Sequence, residues 1–257
     1  MKKTKPKKSL ANKILTTLAG IPLKRRDCAA VIVAAGSGSR MGSATAKQFL
    51  ELDGRPVLAH TLDAFERTKG IDYVIIVTRA CDLDECRDMV KKYGFSKVAD
   101  IVEGGSTRQQ SVLCGIEATD DRTDYVAIHD GARCLVTPEM ITAVLDEAKR
   151  TGAASAGAPV KNTIKVVDEN NNIKNTPDRA TLWQAQTPQI FKAGLYRAAA
   201  YYAQKDGFEA TDDNSLLEYV NGRVTMVDCG YTNIKITTPE DIALAAVLLE
   251  LRKGEKQ

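Results

Sequence analysis

The chain has 257 residues and a formal net charge of +3, with 44% hydrophobic and 27% charged residues. This length suits one large α/β domain or two small ones, and the composition is typical of a folded globular protein, not of a disordered, collagenous or coiled-coil one. No apolar run in the sequence approaches the roughly 18 residues of a membrane-spanning helix. Two histidines and the absence of a CxxC pair argue against a structural zinc site.

The charge is unevenly distributed. Residues 1–26 hold nine Lys and Arg and no acid, which leaves 27 bases against 33 acids in the remainder. We interpret 1–26 as a basic extension, with an organelle-targeting or membrane-surface segment as the alternative, and 27–257 as a single domain. An acidic body does not favour nucleic acid as a partner. The six cysteines have no framework spacing, which predicts reduced thiols and a cytoplasmic protein.

Short apolar runs alternate with amphipathic helical stretches over the first 150 residues. The predicted strands are 29–34, 73–77, 97–102 and 125–129, and the predicted helices are 56–65, 83–93, 107–118 and 138–149. This alternation predicts an α/β fold with a doubly wound, mostly parallel sheet of the Rossmann-like kind. Ligands of such sheets bind beyond the carboxyl ends of the strands, so the loops 34–42, 103–111 and 130–137 should meet at one edge.

The pattern changes after Gly152. Residues 160–167 alternate polar and apolar side chains, 168–172 form a turn-like polar cluster, and 173–182 look extended again. We predict an inserted β-arm at about 158–182. Its unpaired edges would be covered by a second copy, which predicts a homodimer. The remaining predicted elements are helices at 195–204, 213–220 and 239–251 and strands at 224–227 and 232–236.

A glycine-bearing loop, AAGSGSRMG (34–42), follows the first strand. Glycines let main-chain amides approach phosphate oxygens closely. The loop is neither a Walker A loop, since no GK[ST] closes it, nor a dinucleotide fingerprint, since its third glycine comes one residue late. Two cations, Arg40 and Lys47, accompany it, and fixed cations stabilise the charge of a phosphoryl-transfer transition state.

Two further loops carry polar side chains to the same predicted edge. Asp130 ends a strand, where its carboxylate could hold Mg²⁺ on nucleotide phosphates, or simply cap the next segment. Arg133 offers a bidentate fork for a phosphate. The loop EGGSTRQQS (103–111) enters a helix, and its amides, with Arg108 and Ser111, suit a base, ribose or phosphate, or form only a helix cap.

Seven motifs occur in the order seen in 2-C-methyl-D-erythritol 4-phosphate cytidylyltransferases, enzymes of non-mevalonate isoprenoid synthesis. The chain resembles that family over about residues 28–251, through AAGSGSRM (34–41), KQF (47–49), DGAR (130–133), PVKNTIK (159–165), LWQAQTPQ (182–189), ATDD (210–213) and NIKITTPED (233–241). Three positions, Ala46, Cys134 and Asn162, depart from the residues usual in the family.

The resemblance implies transfer of a cytidylyl group from CTP to the phosphate of the sugar alcohol, with release of diphosphate and the help of Mg²⁺. It implies a homodimer in which the arm of one subunit reaches the acceptor of the other. The implied catalytic residues are Arg40, Lys47, Arg179 and Lys235. The implied nucleotide-binding residues are Ala34, Ala35, Gly36, Gly38, Gly105, Ser106 and Ser111. The implied substrate-binding residues are Asp130, Arg133, Thr163 and Thr187, with Asp130 also holding the metal.

Three alternatives remain open at this point. A cytidylyltransferase for another polyol phosphate, such as ribitol 5-phosphate, would share the fold and most motifs. A nicotinamide-dependent dehydrogenase would share the strand, glycine loop and helix at the start, but would need a third glycine in register and an acid for the ribose. A non-catalytic nucleotide-binding module would not need two cations and a carboxylate at one edge of the sheet.

Overall fold

The computed structural model describes residues 26–36 and 46–254. The basic extension therefore lies outside the described residues except for Arg26, which begins the first strand. Gly38 and Arg40 of the glycine loop also lie outside them. Among the residues described, no helix is both long and apolar enough to cross a membrane.

A seven-stranded sheet forms the centre of the fold, in the order β11-β7-β10-β6-β1-β4-β5. Its strands are β1 (Arg26–Val33), β4 (Tyr73–Thr78), β5 (Val98–Glu103), β6 (Thr123–Asp130), β7 (Ala153–Pro159), β10 (Trp183–Lys192) and β11 (Thr225–Asp228). Neighbouring strands are parallel, except that β10 runs antiparallel to both β6 and β7. The predicted mostly parallel sheet is confirmed.

Helices cover both faces of this sheet. They are α1 (Val57–Arg67), α2 (Leu83–Tyr93), α3 (Arg108–Glu117), α4 (Pro138–Thr151), α5 (Ala193–Lys205), α6 (Asp213–Tyr219) and α7 (Pro239–Gly254). Successive β1 side chains point to opposite faces: Ile32 belongs to the core under α1, α2 and α4, whereas Val31 belongs to the core under α3, α5 and α6. Burial on both faces explains why β1 is apolar without alternation.

The helix that borders the glycine loops is held close to the sheet. Thr107 caps α3, its hydroxyl accepting a hydrogen bond from the main-chain N–H of Gln110 at 3.1 Å. Within α3, a Cβ on Gly115 would lie 2.4 Å from Val31 Cγ1 and 2.7 Å from Val77 Cγ2. A glycine is therefore required for α3 to pack this closely, and the packing places the start of α3 beside the end of β1.

Two strands of the central sheet were missed by the sequence analysis. The β7 segment AASAGAP has small residues where β-branched ones usually indicate a strand. In β10 the register shifts between Ala185 and Gln189, and Pro188 interrupts the ladder, which hides the strand from pattern analysis. These two strands place the antiparallel part of the sheet next to β6.

The strand predicted at 232–236 is wrong. The segment is irregular, and the main-chain N–H of Ile236 donates to Ala132 O at 2.8 Å. The buried Asn233 side chain instead anchors it, donating to Gln186 Oε1 at 3.0 Å and to Thr187 O at 2.9 Å. Side-chain hydrogen bonds thus hold this segment in place, as the main-chain hydrogen bonds of a strand would.

Within residues 158–182, where the arm is predicted, a separate two-stranded hairpin pairs β8 (Val166–Val167) with β9 (Ile173–Asn175). These strands are shorter than the predicted stretches 160–167 and 173–182, and Ala158 and Pro159 belong to β7. A second small hairpin pairs β2 (Glu51–Leu52) with β3 (Arg55–Pro56). Three short 3-10 helices complete the described elements: Lys47–Phe49, Ala80–Asp82 and Arg179–Thr181.

Candidate active site

A cavity lies at the carboxyl ends of β1 and β6 and at the start of α3. The described parts of the three loops expected at this edge meet here, together with a segment from near the end of the chain. Its lining residues are Val33, Ala34, Ala35, Gly36, Lys47, Gln48, Gly105, Ser106, Thr107, Arg108, Ser111, Asp130, Ala132 and Lys235.

Main-chain hydrogen bonds tie the loops to the strand ends. The N–H of Ala34 donates to Val77 O at 2.7 Å, and that of Gly131 donates to Val33 O at 2.9 Å. The second glycine loop approaches the first very closely, because a Cβ on Gly104 would lie 2.7 Å from Ala35 Cβ. Residues 34–36, the described part of the first loop, and the second loop therefore form one continuous wall.

The predicted nucleotide-binding residues of the second loop line this wall. Ser106 donates to Gln110 Oε1 from its main-chain N–H at 3.0 Å and from its hydroxyl at 2.7 Å. The hydroxyl of Ser111 donates to Thr107 O at 2.8 Å. A Cβ on Gly105 would lie 2.4 Å from Gln110 Cβ, so the main chain itself forms the surface there.

Asp130 is the one carboxylate among the described lining residues, and cations surround it. Lys235 Nζ lies 2.7 Å from its Oδ2, and Arg108 Nε lies 3.2 Å from its Oδ1. Burial alone would raise the pKa of Asp130, but the charges of Arg108, Lys235 and Arg133 outweigh it and hold that pKa well below its ordinary value. Asp130 is therefore ionised at neutral pH.

A buried chain of hydrogen bonds supports Asp130 from behind. Its main-chain N–H donates to Thr187 Oγ1 at 3.0 Å, and Thr187 Oγ1 lies 3.1 Å from His129 Nδ1. His129 Nε2 lies 3.2 Å from Arg133 O, which can only accept, so this network assigns the ring proton to Nε2. Burial lowers the pKa of His129 to about 3, so the ring is neutral.

Arg133 and Thr187 lie behind Asp130, and neither lines the cavity. The Arg133 guanidinium donates from Nη1 to Asn233 O at 2.9 Å, and its Nε is 3.9 Å from Asp130 Oδ2. Lys235, two residues after Asn233, does reach the cavity. The irregular segment thus places Lys235 in the cavity wall and holds Arg133 behind it through the hydrogen bond to Asn233 O.

The two predicted residues of the arm lie outside this chain's own cavity. Thr163 is exposed, and Arg179 is exposed with its Nη1 donating to Lys161 O at 3.0 Å. The sequence analysis also missed a lining residue, Gln48, whose Nε2 donates to Asp82 Oδ2 at 3.3 Å. Its position next to Lys47 was the only local signal.

The described residues hold no cluster of three or more His, Cys, Asp or Glu side chains suited to a metal. A single ionised carboxylate in the cavity does fit a magnesium ion that takes its other ligands from phosphate and water, as Mg²⁺ often does at nucleotide sites. Arg108 and Lys235 each contact one oxygen of Asp130, but each carboxylate oxygen has a second lone pair, so Asp130 can still take that role.

Comparison with known proteins identifies the family. Residues 28–251 match the family model of IspD, 2-C-methyl-D-erythritol 4-phosphate cytidylyltransferase. A relative of that name from Syntrophotalea carbinolica is 46% identical over 222 residues, covering 86% of this chain and 95% of the relative. The crystal structure of the 4-diphosphocytidyl-2C-methyl-D-erythritol synthase from Anaerococcus prevotii superposes with a TM-score of 0.78 at 34% identity, covering 88% of this chain and 99% of that one. The Thermus thermophilus cytidylyltransferase gives a TM-score of 0.71 at 31% identity, with 86% and 98% covered. The chain belongs to the 2-C-methyl-D-erythritol 4-phosphate cytidylyltransferase family.

Proposed function

We propose that this protein transfers a cytidylyl group from CTP to the phosphate of 2-C-methyl-D-erythritol 4-phosphate and releases diphosphate. The observation that carries the proposal is the cavity itself. It joins two glycine loops, the start of α3, and the side chains of Lys47, Arg108, Lys235 and Asp130. A triphosphate needs main-chain amides and cations in this arrangement, and the family membership supplies the identity of both substrates.

The reaction requires charge neutralisation more than proton transfer. The nucleophile is a phosphate oxygen that is already ionised, so no general base is needed. Among the described lining residues there is no His or Cys, and three are cations. Catalysis then consists of placing the acceptor phosphate against the α-phosphate of CTP and stabilising the added negative charge. Lys47, with Arg40, is assigned to that second task.

The remaining residues divide between the two substrates. The wall formed by the glycine loops binds the nucleotide, through Ala34, Ala35, Gly36, Gly38, Gly105, Ser106 and Ser111. The acceptor contacts Asp130 and Lys235, which are held in place by Arg133 and Thr187. Support for this division comes from the cavity lining, which includes the described members of the first group (Ala34, Ala35, Gly36, Gly105, Ser106 and Ser111) and the Asp130–Lys235 pair at the end of β6.

Asp130 is also the proposed protein ligand of Mg²⁺. Bound Mg²⁺ neutralises triphosphate charge and orients the chain of phosphates for displacement. Asp130→Asn should then weaken the dependence of CTP affinity on Mg²⁺ concentration, measured by calorimetry with and without the metal. An Mg²⁺ dependence equal to that of the wild type would remove Asp130 as a ligand.

We further propose a homodimer in which Arg179 and Thr163 serve the partner's cavity. Both are exposed and neither lines the cavity of its own chain, and the arm presents exposed apolar side chains, with Ile164 39% and Ile173 63% accessible. Mixing Arg179→Ala with Lys47→Ala subunits should restore part of the activity, because one cavity in each mixed dimer is intact. Mixed dimers verified by mass spectrometry but without recovered activity would contradict this arrangement.

A cytoplasmic location is proposed from the thiols. All six cysteines are free, and four of them are buried. Burial raises the pKa of Cys86 to about 11 and that of Cys134 to about 12, so these thiols stay protonated. Alkylation of the denatured protein from cells should modify all six cysteines; recovery of disulfide-linked peptides would contradict the proposal.

The choice of acceptor is tested directly. Diphosphate release should be measured with CTP and Mg²⁺ plus either 2-C-methyl-D-erythritol 4-phosphate or ribitol 5-phosphate, with a reaction lacking acceptor as the control. We expect turnover with the methylerythritol compound. Turnover with ribitol 5-phosphate alone would replace the proposed substrate, and no turnover with either would overturn the proposed activity.

A further inference from the structure

We propose that Asp213 is a positioning residue that acts through Arg108, aiming one edge of the guanidinium at the phosphates of the bound nucleotide. Asp213 does not line the cavity, whereas Arg108 does. The inference rests on the proposed function, since it concerns how the CTP site is built.

Arg108 is fixed at two points. As the first residue of α3, it lies 3.2 Å from Asp130 Oδ1 through Nε and 2.8 Å from Asp213 Oδ2 through Nη1. An arginine has five N–H donors, so these contacts leave the Nη2 donors for another acceptor. In the part of the chain that the structure describes, Nη2 has no hydrogen-bond partner. The side chain is 30% exposed, on the cavity wall.

Asp213 is built into the protein interior. Its side chain is almost wholly buried, its Oδ1 accepts a hydrogen bond from the Tyr196 hydroxyl at 2.7 Å, and its main-chain N–H donates to Gln189 Oε1 at 2.9 Å. Burial raises the pKa of Asp213, and the charge of Arg108 opposes that rise. A buried carboxylate that faces a guanidinium is unfavourable without that partner, so each of the two groups constrains the other.

The geometry gives Asp213 a task beyond folding. Lys235 contacts Oδ2 of Asp130 at 2.7 Å, so Asp130 holds Arg108 through Oδ1 alone. Without Asp213, Arg108 would keep only its contact with Asp130, and the guanidinium could turn about that contact. With both carboxylates in place, the planar fork is held before the nucleotide arrives, so little side-chain entropy is lost when a phosphate binds.

A double-mutant cycle tests whether the two residues act as one unit. CTP with Mg²⁺ is titrated by calorimetry into the wild type, Arg108→Lys, Asp213→Asn and the double variant, without acceptor so that no turnover occurs. Lysine keeps the positive charge beside both carboxylates but loses the fork. We expect each single variant to weaken CTP binding about tenfold, because a bidentate guanidinium contact is lost or misplaced. The double variant should also bind CTP about tenfold more weakly than the wild type, since the second change removes nothing more.

The control is Arg197→Lys, a part-buried arginine that bonds to Thr119 Oγ1 at 2.9 Å away from the cavity; its CTP affinity should equal that of the wild type. The KM of the acceptor should not change in Asp213→Asn, because that variant keeps the contact between Arg108 and Asp130. If Asp213→Asn fails to fold, Tyr196→Phe provides a milder perturbation, and it should weaken CTP binding about threefold by removing one hydrogen bond.

An unchanged CTP affinity in folded Arg108→Lys would overturn the inference. It would also be overturned if the loss of CTP affinity in the double variant equalled the product of the losses in the two single variants. An unchanged affinity in Tyr196→Phe, where that variant is used, would overturn it as well. These results are distinct from a failure of the proposed function, which would show as no diphosphate release by the wild type with either acceptor.

Discussion

Acidification should destabilise the folded protein through His129, a buried ring that does not line the cavity. Burial lowers its pKa in the folded state from 6.5 to about 3. The unfolded chain therefore binds a proton on this ring at a higher pH than the folded chain does. The stability from a neutral His129 is fully present above about pH 6.5 and is lost as the pH falls from there towards 3.

The size of the effect follows from the same shift. At pH 5 the ring is protonated in the unfolded chain and neutral in the folded chain. Because each pH unit below 6.5 lowers the unfolding free energy by roughly 1.4 kcal/mol, the loss at pH 5 is about 2 kcal/mol. Protonation would also put a second N–H on Nδ1, where Thr187 Oγ1 now lies 3.1 Å away and accepts the N–H of Asp130. The cavity carboxylate would lose part of its support.

Urea unfolding at pH 7 and pH 5, at one protein concentration, measures this effect. His129→Gln provides the matched control, because its amide can still donate to Arg133 O but does not titrate in this range. Between the two pH values the wild type should lose about 2 kcal/mol more than the variant. The other histidine, His60, and the carboxylates titrate in both proteins and cancel in the difference. Equal losses in the two proteins would show that the buried His129 ring does not account for the acid sensitivity.

Three substitutions test other parts of the structure. Lys47→Ala should reduce turnover by about 10²-fold or more while CTP still binds, since a close cation is lost from the transition state; Lys149→Ala, whose Nζ pairs with Asp27 at 2.6 Å outside the cavity, is the control, and normal turnover by Lys47→Ala would exclude Lys47 from catalysis. Gly115→Ala should lower the unfolding free energy by about 1–3 kcal/mol, because its methyl group would crowd Val31; wild-type stability in urea would show that α3 can move away. Thr137→Ala should lower it by about 1 kcal/mol by removing the cap of α4, with turnover unchanged; a loss of turnover would show a longer-range effect.

Much of the fold could be predicted because its signals are local. The helix at Leu83–Tyr93 begins and ends at the predicted residues, and Gly94 ends it in the left-handed conformation with φ of 70°. Pro138 starts α4 as predicted, and Thr137 caps it. Caps and hydrophobic periodicity depend on residues within a few positions of each other, so they can be recognised in the sequence.

The strands that were missed depend on distant neighbours. The β7 segment is rich in alanine and glycine, and a Cβ on Gly157 would lie 2.3 Å from Met226 Cε of β11. The small residues of β7 leave room for the neighbouring strands, and they have little intrinsic preference for strand structure. The antiparallel direction of β10 likewise depends on its pairing with β6 and β7, which no pattern within β10 encodes.

The alternating α/β architecture, the two glycine loops and the family could all be recognised from the sequence, because each depends on contiguous residues. Three contacts of the site could be seen only in the folded chain: Lys235 lies against Asp130, Thr187 and Arg133 lie behind that carboxylate, and Asp213 contacts Arg108 from the interior. The physical reason is that these ion pairs and hydrogen bonds join residues far apart in the chain. Their geometry is set by the packing of whole strands and helices, and short-range sequence preferences do not encode it.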